Sequence, residues 1–262
     1  MPDQVLLERK GNVAVITINR PERLNAFDAP TIKLLADSLT DVACDPGSRA
    51  VVLAGAGRAF CAGGDLRAVP GRCPDRPGDA FYELAAFFHR CVSEIRVMEK
   101  PVVAALSGPA AGGGFSLALA CDLRVMSEDA YLKQAYTSNG LAIDGGGTFT
   151  LPRIVGLARA LEIALLDEPI DARAALEMGL VTRVVPAGRV MGEALALAQG
   201  LALGALGTLG TVKRLLNRSF DTSLETQLEL ERLALRSTAN SAEGREGLIA
   251  FATGRKPSFT SS

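Results

Sequence analysis

The residues best suited to chemistry in this chain lie in two glycine-centred segments. The first, Phe60-Cys61-Ala62-Gly63-Gly64-Asp65-Leu66, follows the apolar run Ala50 to Ala54. The second, Gly108-Pro109-Ala110-Ala111-Gly112-Gly113-Gly114, follows the apolar run Val102 to Leu106. Each reads as a strand feeding a turn without side-chain bulk, as a backbone requires where it must approach a ligand closely. Two such turns at one sheet edge can aim two main-chain N–H groups at a single oxygen. That is an oxyanion hole, which stabilises an enolate or a tetrahedral adduct beside a carbonyl. A carboxylate able to move a proton stands at Asp144, just before Gly145-Gly146-Gly147-Thr148. The same placement also suits a helix N-cap.

Other reactive side chains read more plainly. His89 is the only histidine and is flanked by Phe87, Phe88 and Cys91, so an ordinary core or surface placement comes first. Ser116, in Gly114-Phe115-Ser116-Leu117-Ala118, lies inside a helix rather than directly after a strand, which a nucleophile elbow would require. Val51 to Gly57 starts like a dinucleotide fingerprint but has Phe60 where the third glycine belongs. Arg23, Arg58, Arg67 and Lys256 could meet phosphate groups or simply be solvated.

The elements that position these residues alternate between strand and helix. Val13–Ile18 is β-branched and reads as a strand paired with Val5–Leu7. Asp28 and Pro30 open a helix whose Ile32, Leu35, Ala36 and Leu39 share one face. A surface loop is expected over Pro70 to Gly78, where three prolines and two glycines fall, then a helix from Ala80 to Met98 ended by Lys100-Pro101. Phe115 to Ala120 continues the second glycine turn as a helix, and Leu123–Met126 is the next buried strand. The pattern predicts an α/β fold with a parallel or mixed sheet covered by helices. From Gly188 onward the strand signal disappears. Leu195–Leu206, Val212–Leu216, Ser223–Arg236 and Ala242–Ala252 all read as helices.

The 262 residues suit one large domain or a domain with a small appendage, and 48% apolar residues are ample for a core. A formal charge of −1 supplies no basic field for nucleic acid or an acidic membrane. No charged-then-apolar leader or membrane-length apolar run is visible. Cys44, Cys61, Cys73, Cys91 and Cys121 lack CxxC spacing, which fits reduced structural thiols and no metal site. A cytoplasmic globular protein is the expectation.

With both turns placed, the chain resembles the crotonase (enoyl-CoA hydratase/isomerase) family from about Val13 to Phe259. The matching stretches include Asn19-Arg20-Pro21 with Leu24-Asn25-Ala26, Ala59 to Leu66, Lys100 to Ala105 and Gly108 to Gly114. Cys121-Asp122, Leu151 to Gly156, Ala174 to Val181 and Glu243 to Gly247 continue it. The resemblance implies a ββα spiral core over 1–187 carrying the active site, and a helical trimerisation region over 188–262. It also implies acyl-CoA thioester substrates held as enolates, a homotrimer or dimer of trimers, and no cofactor beyond the coenzyme A of the substrate. Gly64 and Gly113 match the two oxyanion donors. Arg23, Leu24, Arg58, Ala62, Asp65, Leu66, Arg67 and Lys256 fall at coenzyme A-binding positions, with Arg255 beside Lys256 reaching a neighbouring subunit.

The departures narrow the activity. Family hydratases carry two glutamates where this chain has Ser116 and Tyr136, so two-carboxylate hydration is not expected. The stretch from Leu141 through Asp144 to Arg153 is similar to 1,2-epoxyphenylacetyl-CoA isomerases, which use a single aspartate. This implies an acyl-CoA isomerase with Asp144 as acid and base, and Tyr136 shaping the acyl pocket or orienting water. Three alternatives stay open. One is a dehalogenase-like thioester hydrolase with Asp144 as nucleophile and His89 as base, since the 4-chlorobenzoyl-CoA dehalogenases have a pocket histidine and aspartate at these positions. The others are a hydratase with Asp144 activating water, and a non-catalytic acyl-CoA-binding protein.

Overall fold

The computed structural model describes residues 3–67 and 75–260. β1 (Val5–Lys10) and β2 (Val13–Ile18) pair antiparallel from Val5↔Ile18 to Lys10↔Val13. Helix α1 (Ala29–Cys44) is opened by Asp28, whose carboxylate accepts the Thr31 N–H at 3.0 Å. It buries Ile32, Leu35, Ala36 and Leu39, the face expected from their spacing. β3 (Ala50–Gly55), α2 (Pro77–Val97) and β4 (Val102–Leu106) follow. Next come β5 (Ala110–Ala111), α3 (Gly113–Ala120), β6 (Leu123–Ser127) and β7 (Tyr131–Lys133).

The rest of the core is α4 (Gly147–Val155), α5 (Leu157–Leu166), β8 (Ile170–Asp171), α6 (Ala172–Glu177) and β9 (Arg183–Val185). Helices α7 (Val190–Ala202), α8 (Leu206–Arg218), α9 (Leu224–Asn240) and α10 (Ala242–Ala252) complete the chain. The main sheet has the order β1-β2-β3-β4-β6-β9 and is parallel from β2 onward. A small second sheet has the order β5-β7-β8.

Side chains alternate across the main sheet, so its two faces feed two cores. Ile16, Ile18, Leu53, Ala104 and Leu106 pack with α1, α2 and α3, whereas Val13, Val15, Val52, Val103 and Val125 pack with α7. Burial on both faces explains why these strands read as continuous apolar runs. The core thus draws on α7, past residue 187. The later helices attach through charge as well as packing. Lys213 of α8 donates to Asp122 at 2.7 Å, and that carboxylate also accepts the Val102 N–H at 2.8 Å. Burial raises the Asp122 carboxyl above its ordinary value despite the lysine.

Several boundaries differ from the sequence expectation. Residues 70–74 of the expected loop lie outside the described residues, while Pro77 and Gly78 already belong to the first turn of α2. Proline is well accommodated there because its missing N–H would have no intrahelical acceptor. The helix expected over Leu195–Leu206 instead runs from Val190 to Ala202, and α8 begins at Leu206 and contains Val212–Leu216. Ser223 caps α9 through the Thr226 N–H, and α10 keeps the expected bounds. Among the described residues no single helix is long and apolar enough to cross a membrane.

Candidate active site

The first glycine turn is held from below by Asn25. This residue is fully buried in a left-handed conformation (φ 58°), a region that asparagine tolerates better than most side chains. Its amide donates to the carbonyls of Ala56 and Ala59 at 2.8 Å, and its carbonyl accepts the Arg20 N–H at 2.9 Å. Leu24, also left-handed, accepts the Ala62 N–H at 3.0 Å. Phe27 then forms a parallel bridge that uses the Gly63 carbonyl at 2.8 Å and the Asp65 N–H at 2.9 Å. This leaves the Gly64 N–H turned away from Phe27.

The second turn docks on the first. Ala111 donates to the Cys61 carbonyl at 2.9 Å, and Gly112 donates to the Lys133 carbonyl at 3.1 Å. Gly113 opens α3, so its N–H has no acceptor within the helix and sits at the positive end of the helix dipole. The turns meet with no room for side chains. A Cβ on Gly63 would lie 2.7 Å from the Gly113 nitrogen, and one on Gly114 would lie 2.0 Å from the Cys61 oxygen. Gly63 also takes φ +90°, so glycine is required there twice over.

Gly64 and Gly113 line one pocket of about 110 Å³ together with Phe27, Leu84, Phe88, Tyr136 and Asp144. Asp144 enters through the left-handed pair Gly145 and Gly146, and a Cβ on Gly145 would strike the Phe88 ring at 2.2 Å. The N-cap of α4 is Gly146, with no side-chain cap. The capping reading of Asp144 is therefore corrected: its carboxylate turns away from the helix and meets His89. The His89 Nε2 to Asp144 Oδ1 distance is 2.5 Å, with both side chains partly exposed. His89 is thus a surface histidine satisfied by a carboxylate.

Tyr136 and Ser116 stand close by. Burial, with the charge of Asp144 second, pushes the Tyr136 phenol above its ordinary value near 10, so it stays protonated. The Ser116 hydroxyl is fully buried and has no hydrogen-bond partner. Its contact with the Tyr136 phenol opposes the rise. Ser116 itself sits within α3, as its sequence context implied.

The remaining candidates are spread around this centre. Leu66 and Ala62 line the pocket. Asp65 is held by Arg20 at 3.4 Å. Arg23, Arg58, Arg67 and Lys256 are exposed and lie outside the pocket lining among the described residues. Arg255 pairs with Glu246 of its own chain, drawing that carboxyl down to about 2 through the Arg255 hydrogen bonds. A larger cavity of about 390 Å³ lies elsewhere, between α8 and the end of α3. Its acidic Asp122 is already committed to Lys213, and neither glycine donor reaches it, so the smaller pocket is the site.

The sequence pattern described as Enoyl-CoA hydratase/isomerase matches residues 8–262. The chain belongs to this family. It is 38% identical over 263 residues to the 1,2-epoxyphenylacetyl-CoA isomerase of Escherichia coli, covering 99% of each chain. It is 32% identical over 255 residues to the short-chain-enoyl-CoA hydratase of Clostridium acetobutylicum, covering 97% of this chain and 96% of that one. The crystal structure of an enoyl-CoA hydratase from Polaromonas sp. JS666 superposes with a TM-score of 0.92 at 34% identity, covering 97% of this chain and 98% of the other. The fold is thus the crotonase type, and the protein is an enzyme of the enoyl-CoA hydratase/isomerase family.

Proposed function

We propose that the protein is an acyl-CoA isomerase working through an enolate, with Asp144 as the single acid and base. The observation that carries this reading is the Asp144 carboxylate on the wall of the pocket that also contains Gly64 and Gly113. The thioester oxygen accepts hydrogen bonds from these two amides, which are fixed before the reaction begins. Each such donor contributes on the order of 3 kcal/mol to a transition state in which charge builds on that oxygen. Asp144 takes a proton from one carbon of the acyl group and returns it to another. His89 holds one carboxylate oxygen, leaving the other to face the substrate.

Three of the chain's 10 phenylalanines (Phe27, Phe81 and Phe88) and one of its 3 tyrosines, Tyr136, line this small pocket. Aromatic walls favour a compact, flat acyl group. No metal or redox cofactor enters the scheme, and coenzyme A is part of the substrate. Arg23, Arg58, Arg67 and Lys256 are our candidates for its phosphates, at the positions implied by the family. We also propose a homotrimer, alone or doubled, in the cytoplasm. Leu224, Leu228 and Leu235 are more than half exposed along α9, as are Leu248, Ile249 and Phe251 on α10. A face of this kind favours association.

The His89–Asp144 pair favours a second reading, a dehalogenase-like or simple thioester hydrolase in which Asp144 attacks carbon and His89 activates water. One experiment separates the readings: incubation with 2-enoyl-, 3-enoyl- and aryl-CoA thioesters in D2O, followed by mass spectrometry. Isomerisation should move the double bond and introduce deuterium. A covalent acyl-enzyme, or net addition of water without deuterium exchange in the remaining thioester, would overturn the isomerase reading.

A further inference from the structure

The larger cavity takes no part in the chemistry proposed for Asp144, yet it is built like a ligand pocket. Its volume of about 390 Å³ falls within the range of about 300–1,000 Å³ usual for small-molecule sites. Its apolar walls are aliphatic, from Leu119, Leu123, Ile154, Leu209, Val212 and Leu216. Four cations also line it: Arg96, Arg124, Arg153 and Lys213. Two of them are committed to the fold. Lys213 meets Asp122 at 2.7 Å, and Arg124 donates to the carbonyls of Leu180 and Cys121.

Arg96 and Arg153 are different. Both guanidinium groups lie over the Phe149 ring, 5.1 Å and 3.4 Å from its centre, so two like charges share one ring. The side-chain acceptor of Arg96 is the neutral Asn217 amide oxygen at 2.8 Å. Arg153 reaches Asp221 at 3.3 Å, but that carboxylate is 59% exposed and screened by solvent. The Arg153 Nε is buried and has no hydrogen-bond partner among the described residues. Glu99, the second carboxylate of the lining after Asp122, pairs with Arg214 at 3.3 Å. Burial, and then the charge of Arg153, draws the Arg96 guanidinium below its ordinary value. Arginine stays charged in proteins, so this part of the cavity holds positive charge that the chain's own carboxylates neutralise only in part.

We propose that the cavity binds an amphipathic carboxylate, its head paired with Arg96 and Arg153 and its aliphatic chain laid along α3, α4 and α8. A guanidinium edge matches the two oxygens of a carboxylate, and the unpartnered Nε belongs to such an edge. Leucine, isoleucine and valine walls suit a flexible saturated chain. The site stands at the far end of α3 from Gly113 and does not depend on the acyl-CoA reading.

The chain has no tryptophan, so Phe220→Trp, at an exposed position of the lining, gives a local fluorescent reporter. Protein carrying it is titrated with octanoate, 1-octanol and acetate. Octanoate should give a saturable change at an affinity about tenfold or more above that of 1-octanol, as expected for hydrogen bonds to charged groups. Acetate, which lacks the chain, should bind at least about tenfold more weakly than octanoate. Arg96→Gln and Arg153→Gln, each checked for folding by circular dichroism, should weaken octanoate about tenfold and leave 1-octanol within about twofold. Arg153→Lys keeps the charge without the Nε edge and should fall between. Equal affinities for octanoate and 1-octanol would overturn the proposal even if neither glutamine variant folds. Unchanged octanoate binding in a folded glutamine variant, or no saturable response to octanoate, would do the same. A response that disappears as protein concentration rises would give the cavity to a second copy of the chain and overturn the ligand site.

Discussion

Adding one methyl group at Gly63 tests the proposed oxyanion hole without substituting either donor residue. In Gly63→Ala the new Cβ would lie 2.7 Å from the Gly113 nitrogen and 2.9 Å from the Ala111 oxygen, both backbone atoms that cannot swing aside. Ordinary contact begins at 3.4 Å, so the two turns must separate by about 0.7 Å. A hydrogen bond of about 2.9 Å stretched by that amount is no longer one. Loss of a single oxyanion donor lowers kcat by about 10²- to 10³-fold. The left-handed φ of +90° adds a stability cost of about 1–2 kcal/mol for any residue with a Cβ, or roughly 2–8 °C in Tm for a chain of this size. Gly188→Ala separates the two effects. Its φ is +79° and nothing lies within 4 Å of its would-be Cβ, so it should lose similar stability at full activity. The assay is conversion of 3-enoyl- to 2-enoyl-CoA, with melting followed by circular dichroism. A folded Gly63→Ala variant that keeps wild-type kcat would refute the oxyanion assignment.

The other predictions concern the carboxylate, the thiols and assembly. Asp144→Asn should stay folded, because this side chain caps no helix, yet isomerise at least about a hundredfold more slowly; undiminished exchange of substrate hydrogen with D2O would move the base elsewhere. In native protein a thiol reagent at pH 8 should modify exposed Cys44 and spare buried Cys61, Cys91 and Cys121, as peptide mapping would show. Burial pushes those three thiols from the ordinary 9.0 up to about 12. The unfolded chain therefore ionises first: this contribution is constant below about pH 9 and should cost stability progressively from pH 9 to 12, and a flat alkaline denaturation profile would contradict it. Sedimentation at micromolar concentration should show a trimer or a pair of trimers, and a monomer would refute the reading of the exposed leucines on α9 and α10.

Much of the fold was legible because its signals are local. The apolar runs of β2, β3 and β4 are buried on both faces, which leaves little ambiguity in their sequence. The Asp28–Pro30 start of α1 carries its own capping chemistry. Shorter elements were not legible. β5 and β8 have two residues each, and they exist only because the β7 backbone lies alongside them. The break between α7 and α8 was misread for a similar reason. Leucine and alanine continue through it, so propensity favours one helix, whereas Arg49 donates to the carbonyls of Ala202 and Gly204 at 2.8 Å and helps fix the turn. A contact across more than 150 positions of sequence leaves no local trace.

The site divides along the same line. The proposed donors Gly64 and Gly113 are open to reading from sequence because oxyanion donors are main-chain groups, and the requirement they impose, absence of side chains, is written directly as glycine. The proposed proton carrier is different in kind. His89 and Asp144 are 55 positions apart, and nothing around His89 distinguishes it from a surface histidine of an amphipathic helix. Their meeting depends on Gly145 and Gly146 taking left-handed conformations, which swing the aspartate off the start of α4 and onto α2. The glycine run after Asp144 was therefore the available signal. Read as a helix start it suggests a cap; read as two consecutive left-handed residues packed against Phe88, it leaves the carboxylate outside the helix with a partner to find. The proposed donor half of this site is a backbone property and is visible residue by residue. The proposed acid–base half is a property of packing and emerges only when α2 and the Asp144 turn are brought together.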